Sequence, residues 1–163
     1  MDLWILRHAA AEDRSASGRD ADRPLTREGV QRARRVGRGL AALNSEIERI
    51  LTSPYLRARQ TAEAAAKALG PASKLEESRA LEPGRDPREI LEELRADDLA
   101  SALLVGHEPH LGALLGLLVT GETKLEIPLK KAGLARVSWD GSGAGALELV
   151  LPAGALERLF GRR

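Results

Sequence analysis

Two short, wholly apolar runs constrain the fold of this chain more than any other feature. Leu3 to Leu6 and Ala102 to Val105 contain no charged or hydroxyl side chain, and His8 or His107 follows each run within two residues. Runs of this kind indicate strands buried on both faces, as in a parallel sheet that is covered by helices. The chain therefore predicts an α/β protein whose sheet carries two histidines at strand ends.

Amphipathic helices alternate with the strands. Thr26 can cap a helix in which apolar residues recur at i, i+3 and i+7 from Ala33. Ser53-Pro54 combines a capping hydroxyl with a proline at the first helical position, which predicts a second helix start. The predicted elements, in chain order, are a strand at 3–6, a helix from Thr26, a strand at 49–52, a helix from Ser53-Pro54 to Leu69, a strand near Leu75, a helix at 87–95, a strand at 102–105, a helix from Pro109, and hairpin strands at 134–139 and 146–151.

This alternation predicts a three-layer α/β/α sandwich. Strands that are joined through helices are expected to run parallel, with right-handed crossovers. The last two strands flank a glycine-rich turn, so an antiparallel hairpin is expected to extend the mostly parallel central sheet. The length of 163 residues predicts one domain that spans 1–163.

Composition argues against several classes of protein. The chain has 25 basic and 24 acidic side chains and a net charge of +1, so nucleic acid is not expected as its main partner. Because there is no cysteine, disulfides, thiolate metal sites and a cysteine nucleophile are excluded. The apolar start at residues 1–6 is too short for a signal peptide or a membrane span. We therefore predict a cytoplasmic protein without a membrane partner, and expect a monomer.

Histidines and arginines follow three of the predicted strands. The first strand leads into Arg7-His8, the second into Ser53 and then Arg57, and the strand at 102–105 into His107. Ligands of open α/β sheets bind beside the carboxyl ends of the strands, so these side chains are expected to converge. Guanidinium groups donate in pairs to phosphate and carboxylate oxygens. The sequence thus predicts a phosphate or carboxylate site at this edge of the sheet.

Four sequence blocks between residues 6 and 109 occur in the order of a known family. The blocks are Leu6-Arg7-His8-Ala9, Arg23-Pro24-Leu25-Thr26 with Glu28-Gly29, Ser53-Pro54-Tyr55-Leu56-Arg57-Ala58 with Gln60-Thr61, and Val105-Gly106-His107-Glu108-Pro109. Together they resemble the histidine phosphatase superfamily, and within it the SixA-like branch. One departure is Ala9, where the wider superfamily usually has glycine, and a positive φ at this position would strain an alanine.

The resemblance implies a phosphoglycerate mutase-like fold and a phosphatase that needs neither a metal ion nor a cofactor. His8 would be the nucleophile that accepts the phosphoryl group. Arg7, Arg57 and His107 would surround the phosphoryl oxygens, and Arg23 would bind phosphate at the rim. A neutral imidazole is nucleophilic near neutral pH, so His8 must begin neutral, whereas His107 would be most useful protonated, as a donor to the developing charge.

The leaving group separates two substrate classes. The imidazole of phosphohistidine leaves readily, whereas a phosphomonoester generally needs a carboxylic acid to protonate its alkoxide. Glu82, in a predicted turn, and Glu108, next to His107, are the candidates for that general acid. The alternatives are that Glu82 is an exposed turn residue and that Glu108 caps the following helix.

The short stretch between the second helix and the strand at 102–105 offers little chain for a lid over a small metabolite. We therefore predict that the substrate is phosphohistidine on a protein such as a phosphotransfer domain. The alternatives are a phosphomonoesterase that acts on a small phosphorylated molecule and a non-catalytic module that binds phosphoproteins.

Two other functions have less support in the sequence. His107, Glu108 and His110 resemble a metal-ligand cluster, but Pro109 and the three-residue spacing break the pattern of two histidines one helical turn apart. The arginine-rich segment 32–38 could suggest nucleic-acid binding. The near-zero net charge and an aromatic content of 2% favour a solvated helix face instead.

Overall fold

The computed structural model describes residues 1–43 and 46–160. Residues 44, 45 and 161–163 of the predicted domain lie outside the described residues. The described strands are β1 (Asp2–Arg7), β2 (Arg49–Thr52), β3 (Lys74–Glu77), β4 (Ser101–Gly106), β5 (Leu134–Ser138) and β6 (Ala146–Leu151). The described α-helices are α1 (Arg27–Ala42), α2 (Leu56–Leu69), α3 (Pro87–Arg95), α4 (His110–Thr120) and α5 (Ala153–Phe160).

The described strands form one mixed sheet in the order β3-β2-β4-β1-β5-β6. The pairs β3-β2, β2-β4 and β4-β1 are parallel, and the pairs β1-β5 and β5-β6 are antiparallel. The predicted parallel centre and antiparallel C-terminal extension are thus confirmed. The two strands with wholly apolar runs, β1 and β4, lie side by side in the middle of the sheet.

Different helices cover the two faces of the sheet. On one face, Leu3 and Ile5 of β1 belong to a core with α3 and α4. On the other face, Trp4 and Leu6 belong to a core with α1, α2 and α5. Successive side chains of a strand point to opposite faces, so a strand between two helical layers has no position that favours a polar residue. The predicted α/β/α sandwich is confirmed, and the apolar runs are explained.

The start of α2 differs from the prediction. The helix begins at Leu56, and Tyr55 at its N-cap makes no side-chain cap hydrogen bond. Ser53 precedes the helix by three residues, and its Oγ accepts a 3.3 Å hydrogen bond from the backbone N–H of Tyr55. The hydroxyl of Ser53 also contacts His107, as described below. Ser53 therefore binds a side chain at the edge of the sheet and does not cap the helix.

Sequence analysis did not predict α5, which packs against α1. Leu156 of α5 is fully buried, and a Cβ placed on Gly39 of α1 would lie 2.7 Å from Cγ of Leu156. The glycine therefore permits the close approach of the two helices. Within residues 1–43 and 46–160, no helix is both long enough and apolar enough to cross a membrane.

Candidate active site

Strand pairing brings the two predicted site histidines together. β1 and β4 run parallel with Arg7 opposite Gly106, so His8 and His107 leave the sheet side by side. Their ring centroids are 5.1 Å apart. His8 is 6% exposed and His107 is 1% exposed. The two imidazoles therefore share one buried environment at the carboxyl edge of the parallel strands.

His8 is held in one tautomer. Its Nδ1 lies 2.7 Å from the carbonyl oxygen of Ala9. A carbonyl oxygen can only accept, so Nδ1 carries the hydrogen and Nε2 carries a free lone pair. Burial, followed by the charges of Arg57 and Arg7, lowers the pKa of His8 to about 4. The imidazole is therefore neutral near neutral pH.

Ser53 and Tyr55 fix the position of His107. Nε2 of His107 lies 2.8 Å from Oγ of Ser53, and the Tyr55 ring packs against the His107 ring in a T-shaped arrangement. Burial, followed by the nearby His8 and Arg57, lowers the pKa of His107 to about 2. In the protein alone, burial and neighbouring positive charges thus disfavour the protonated form of His107, which would be the more useful form for a donor.

Two arginines surround the histidines. Arg7 donates through Nη1 to the carbonyl oxygen of Leu129 over 2.8 Å. Arg57 donates through Nη1 to the carbonyl oxygen of Asp20 over 2.8 Å, and its guanidinium lies 5.0 Å from the centroid of the Tyr55 ring. Within the described residues, Nε of each arginine is buried without a hydrogen-bond partner. Each is thus a buried donor that a ligand oxygen could satisfy.

Asp20, which sequence analysis did not single out, links two of the predicted phosphate-binding arginines. Its Oδ2 accepts from Nη2 of Arg57 over 3.0 Å, and its Oδ1 accepts from Nη1 of Arg23 over 2.9 Å. The side chain of Arg23 is 29% exposed, whereas that of Arg57 is 7% exposed. Arg23 therefore lies nearer to solvent than Arg57, at a position that suits the rim of the site.

Thr61 connects the backbone beside His8 to the helix that carries Arg57. Its Oγ1 accepts from the Ala9 N–H over 3.1 Å and donates to the carbonyl oxygen of Arg57 over 2.7 Å. Both bonds are buried. One hydroxyl therefore sets the spacing between the candidate nucleophile and a candidate phosphate ligand. The Gln60-Thr61 block contributed to the family resemblance, but the long-range contact of Thr61 leaves no local signal.

Ala9 does not adopt the positive φ that its departure from glycine raised as a concern. Among the described non-glycine residues, a positive φ occurs at Ala132, where it is 58°. Ala132 is fully buried, and its N–H donates to the carbonyl oxygen of His8 over 3.1 Å. The strained backbone thus lies in the segment that faces His8, and its hydrogen bond helps to hold His8 in place.

The two candidate acids differ in their surroundings. The carboxylate of Glu108 accepts from the backbone N–H groups of Leu129 over 2.8 Å and of Gly112 over 3.2 Å. It therefore caps the first turn of α4 and anchors the segment whose Leu129 carbonyl binds Arg7. Glu82 is half-buried, and its carboxylate has no hydrogen bond or ion pair within the described residues.

The metal-ligand alternative finds no support in the described residues. They include no group of three or more histidine, cysteine, aspartate or glutamate side chains that could hold a metal ion. Glu108 directs both carboxylate oxygens to backbone N–H groups. His110 is buried, and neither of its ring nitrogens has a hydrogen-bond partner among the described groups.

Comparison with known proteins gives one consistent family. Residues 3–82 match the histidine phosphatase superfamily (branch 1). The chain is 36% identical over 149 residues to phosphohistidine phosphatase SixA of Escherichia coli (strain K12), and the match covers 89% of each chain. The solved structure of the protein histidine phosphatase SixA complexed with tungstate is similar, with a TM-score of 0.87 and 33% identity over 96% of this chain and 99% of that one.

A phosphoglycerate mutase from Bacillus anthracis str. Sterne shares the fold, with a TM-score of 0.69 and 18% identity over 97% of this chain and 96% of that one. This likeness shows that the chain has the phosphoglycerate mutase-like fold, with His8 and His107 paired at the carboxyl edge of the sheet. The chain belongs to the histidine phosphatase superfamily and is a phosphatase of its SixA-like branch. The predicted family, fold and enzyme class are therefore confirmed.

Proposed function

We propose that this phosphatase hydrolyses phosphohistidine on a protein through a phosphorylated His8. The hydrogen bond between Nδ1 of His8 and the Ala9 carbonyl carries the proposal, because it leaves the lone pair of Nε2 free to attack. The lowered pKa of His8 keeps that lone pair available near neutral pH. The name of the Escherichia coli relative, a phosphohistidine phosphatase, supports the substrate class.

In the proposed first step, Nε2 of His8 forms a bond to phosphorus while the P–N bond to the substrate imidazole breaks. The leaving imidazole takes a proton from solvent. In the second step, water attacks phospho-His8, the P–N bond breaks, orthophosphate leaves, and the proton of the water passes to solvent. The enzyme would contribute the covalent intermediate, positioning and charge stabilisation.

Arg7, Arg57 and His107 would bind the phosphoryl oxygens, with Arg23 at the rim. The buried Nε of each central arginine and the buried Nδ1 of His107 lack partners among the described residues, which supports these roles. The negative charge of a phosphoryl group would raise the pKa of His107 and so strengthen it as a donor. Ser53 would act as a positioning residue, since its hydroxyl holds Nε2 of His107.

A phosphomonoesterase is the second candidate, and Glu82 is the residue that favours it. Its carboxylate is not engaged by another described group. The preceding carbonyl, of Leu81, lies 3.5 Å from the position that a Cβ on Gly106 would occupy, so the turn before Glu82 packs against the end of β4. A carboxylic acid there could protonate an alkoxide. Glu108 is less suited to this role, because both of its oxygens bind backbone N–H groups.

Phosphate release in EDTA from a phosphohistidine-bearing carrier protein and from an alkyl phosphomonoester tests the proposal. We expect the native protein to prefer the carrier, and His8→Ala to lose turnover of both substrates. Glu82→Gln should leave carrier turnover unchanged, as should the control Glu92→Gln on the exposed face of α3. The proposal would be contradicted if the native protein preferred the ester and if Glu82→Gln, but not Glu92→Gln, abolished ester turnover. That result would establish the phosphomonoesterase.

A further inference from the structure

We infer that the carboxylate of Asp20 competes with the phosphoryl group for Arg57 and Arg23, and thereby limits how tightly the site holds free phosphate. The inference rests on the proposed phosphate-binding role of the two arginines. It gives Asp20 a part in substrate selectivity and product release, which the family resemblance does not assign.

Asp20 offers Arg57 a pair of acceptors much as a phosphoryl group would. The backbone oxygen of Asp20 accepts from Nη1 over 2.8 Å and its Oδ2 accepts from Nη2 over 3.0 Å, so one residue engages both terminal nitrogens. The second carboxylate oxygen binds Nη1 of Arg23. Paired acceptors of this kind are what guanidinium groups recognise in phosphates and carboxylates. A ligand that binds Arg57 through Nη2, or Arg23 through Nη1, therefore competes with the Asp20 carboxylate for that donor.

Burial makes this exchange possible. The side chain of Asp20 is 54% exposed, whereas that of Arg57 is 7% exposed. Solvent weakens an ion pair on its exposed side, while a buried guanidinium needs an acceptor at all times. A phosphate dianion carries more charge than the single carboxylate and can displace it. When phosphate leaves, Asp20 can again supply the acceptors that Arg57 requires.

The Asp20 carboxylate can move while its turn stays in place. Asp20 begins the short 3-10 turn Asp20–Asp22, and the carboxylate of Asp22 holds that turn through Ser17 and Arg19. Within the described residues, the Asp22 side chain makes no hydrogen bond or ion pair with Arg57 or Arg23, and it has the same charge as Asp20. It therefore provides a matched control on the same turn.

Titration calorimetry with orthophosphate tests the inference on the native protein, Asp20→Asn, Asp22→Asn and Arg57→Gln. Asp20→Asn removes the charge but keeps the size and the backbone oxygen. We expect it to lower the Kd for orthophosphate by about two- to five-fold, and to lower the inhibition constant of orthophosphate as a product by a similar factor. Asp22→Asn should leave the Kd unchanged. Asp20→Ser, which also lacks the charge, should repeat the effect if Asp20→Asn folds poorly.

Three results would overturn the inference. Weaker phosphate binding in the Asp20 variants would show that Asp20 orders the arginines for phosphate and does not compete with it. Unchanged binding would show that Asp20 does not affect phosphate affinity. Equal tightening in Asp22→Asn would show a general effect of the charge on this turn. If the arginines do not bind phosphate, so that the proposed function is wrong, the native protein would bind orthophosphate no better than Arg57→Gln does. This result differs from the three above.

Discussion

The environment of His8 and His107 favours the neutral form of both rings. Burial removes water from the imidazoles, and the adjacent arginines repel a further positive charge, so the pKa is lowered to about 4 for His8 and about 2 for His107. Neutrality suits a nucleophile, and the arginines are positive at any relevant pH. In the proposed mechanism, His8 would therefore act as the nucleophile and the guanidiniums would supply the positive charge.

The same lowered pKa values predict how stability depends on pH. In the unfolded chain these histidines bind protons near pH 6.5, whereas in the folded protein they remain neutral down to about pH 4 for His8 and about pH 2 for His107. The unfolded state therefore binds more protons as the pH falls below about 6.5, so the contribution of these histidines to the unfolding free energy declines from there, towards about pH 4 for His8 and about pH 2 for His107.

Urea unfolding at pH 7.5 and pH 5 measures this contribution. The loss of stability between the two pH values should be smaller in a His8→Asn, His107→Asn variant than in the native protein, because the variant lacks both groups. The comparison cancels the carboxylates, which both proteins share. An equal loss in the two proteins would show that the histidines titrate normally in the folded state.

At the scale of elements, the active site depends on how α2 is attached to the end of β1. Thr61 makes this attachment through its hydrogen bonds to Ala9 and to the Arg57 carbonyl. Thr61→Val keeps the shape of the side chain but leaves the buried Ala9 N–H without that acceptor. We expect a loss of about 1–3 kcal/mol in unfolding free energy, and a fall of about ten-fold in kcat.

Thr120→Val is the matched control for that substitution. Thr120 also donates to a carbonyl oxygen four residues earlier, that of Gly116. Thr120 is the last residue of α4, whereas His107 precedes the first residue of that helix. Its kcat should equal that of the native protein. If both valine variants kept full kcat in folded protein, Thr61 would have only a structural role.

Local patterns predicted most elements, and long-range contacts account for what they missed. β1 and β4 follow from their apolar runs, and α3 follows from the spacing of Ile90, Leu91 and Leu94, which are properties of neighbouring residues. The strand-end rule also predicted that His8 and His107 meet. The partners of Ser53 and Thr61 are 54 and 52 positions away in sequence. No short pattern encodes such contacts.

At the scale of the whole molecule, a nearly neutral chain concentrates positive charge around one edge of its sheet. The net charge is +1, yet Arg57, Arg7 and the exposed Lys131 all lie near enough to lower the pKa of His8. Local fields of this kind attract anionic groups, and salt screens them. The single domain at 1–163, the monomeric state and the cytoplasmic location remain predictions from the sequence.

This charge distribution predicts a salt-dependent encounter with an anionic substrate. We expect kcat/KM for a phosphohistidine carrier to fall as ionic strength rises from 0.02 to about 0.2 M, while kcat changes little. Lys131→Gln should lower kcat/KM and flatten its salt dependence. Lys124→Gln, at an 89% exposed lysine that pairs with Glu122, should leave both unchanged. Identical salt profiles in all three proteins would contradict electrostatic attraction through Lys131.

Rapid-quench labelling tests the proposed covalent intermediate on His8. The native protein is mixed with a carrier that bears radioactive phosphohistidine, quenched in base within milliseconds, and digested to locate the label. We predict an acid-labile, base-stable phosphoryl group on His8 that forms and decays at rates compatible with turnover, and none in His8→Ala. Turnover by His8→Ala at the native rate, or turnover by the native protein without label on His8, would contradict a phosphorylated His8 intermediate.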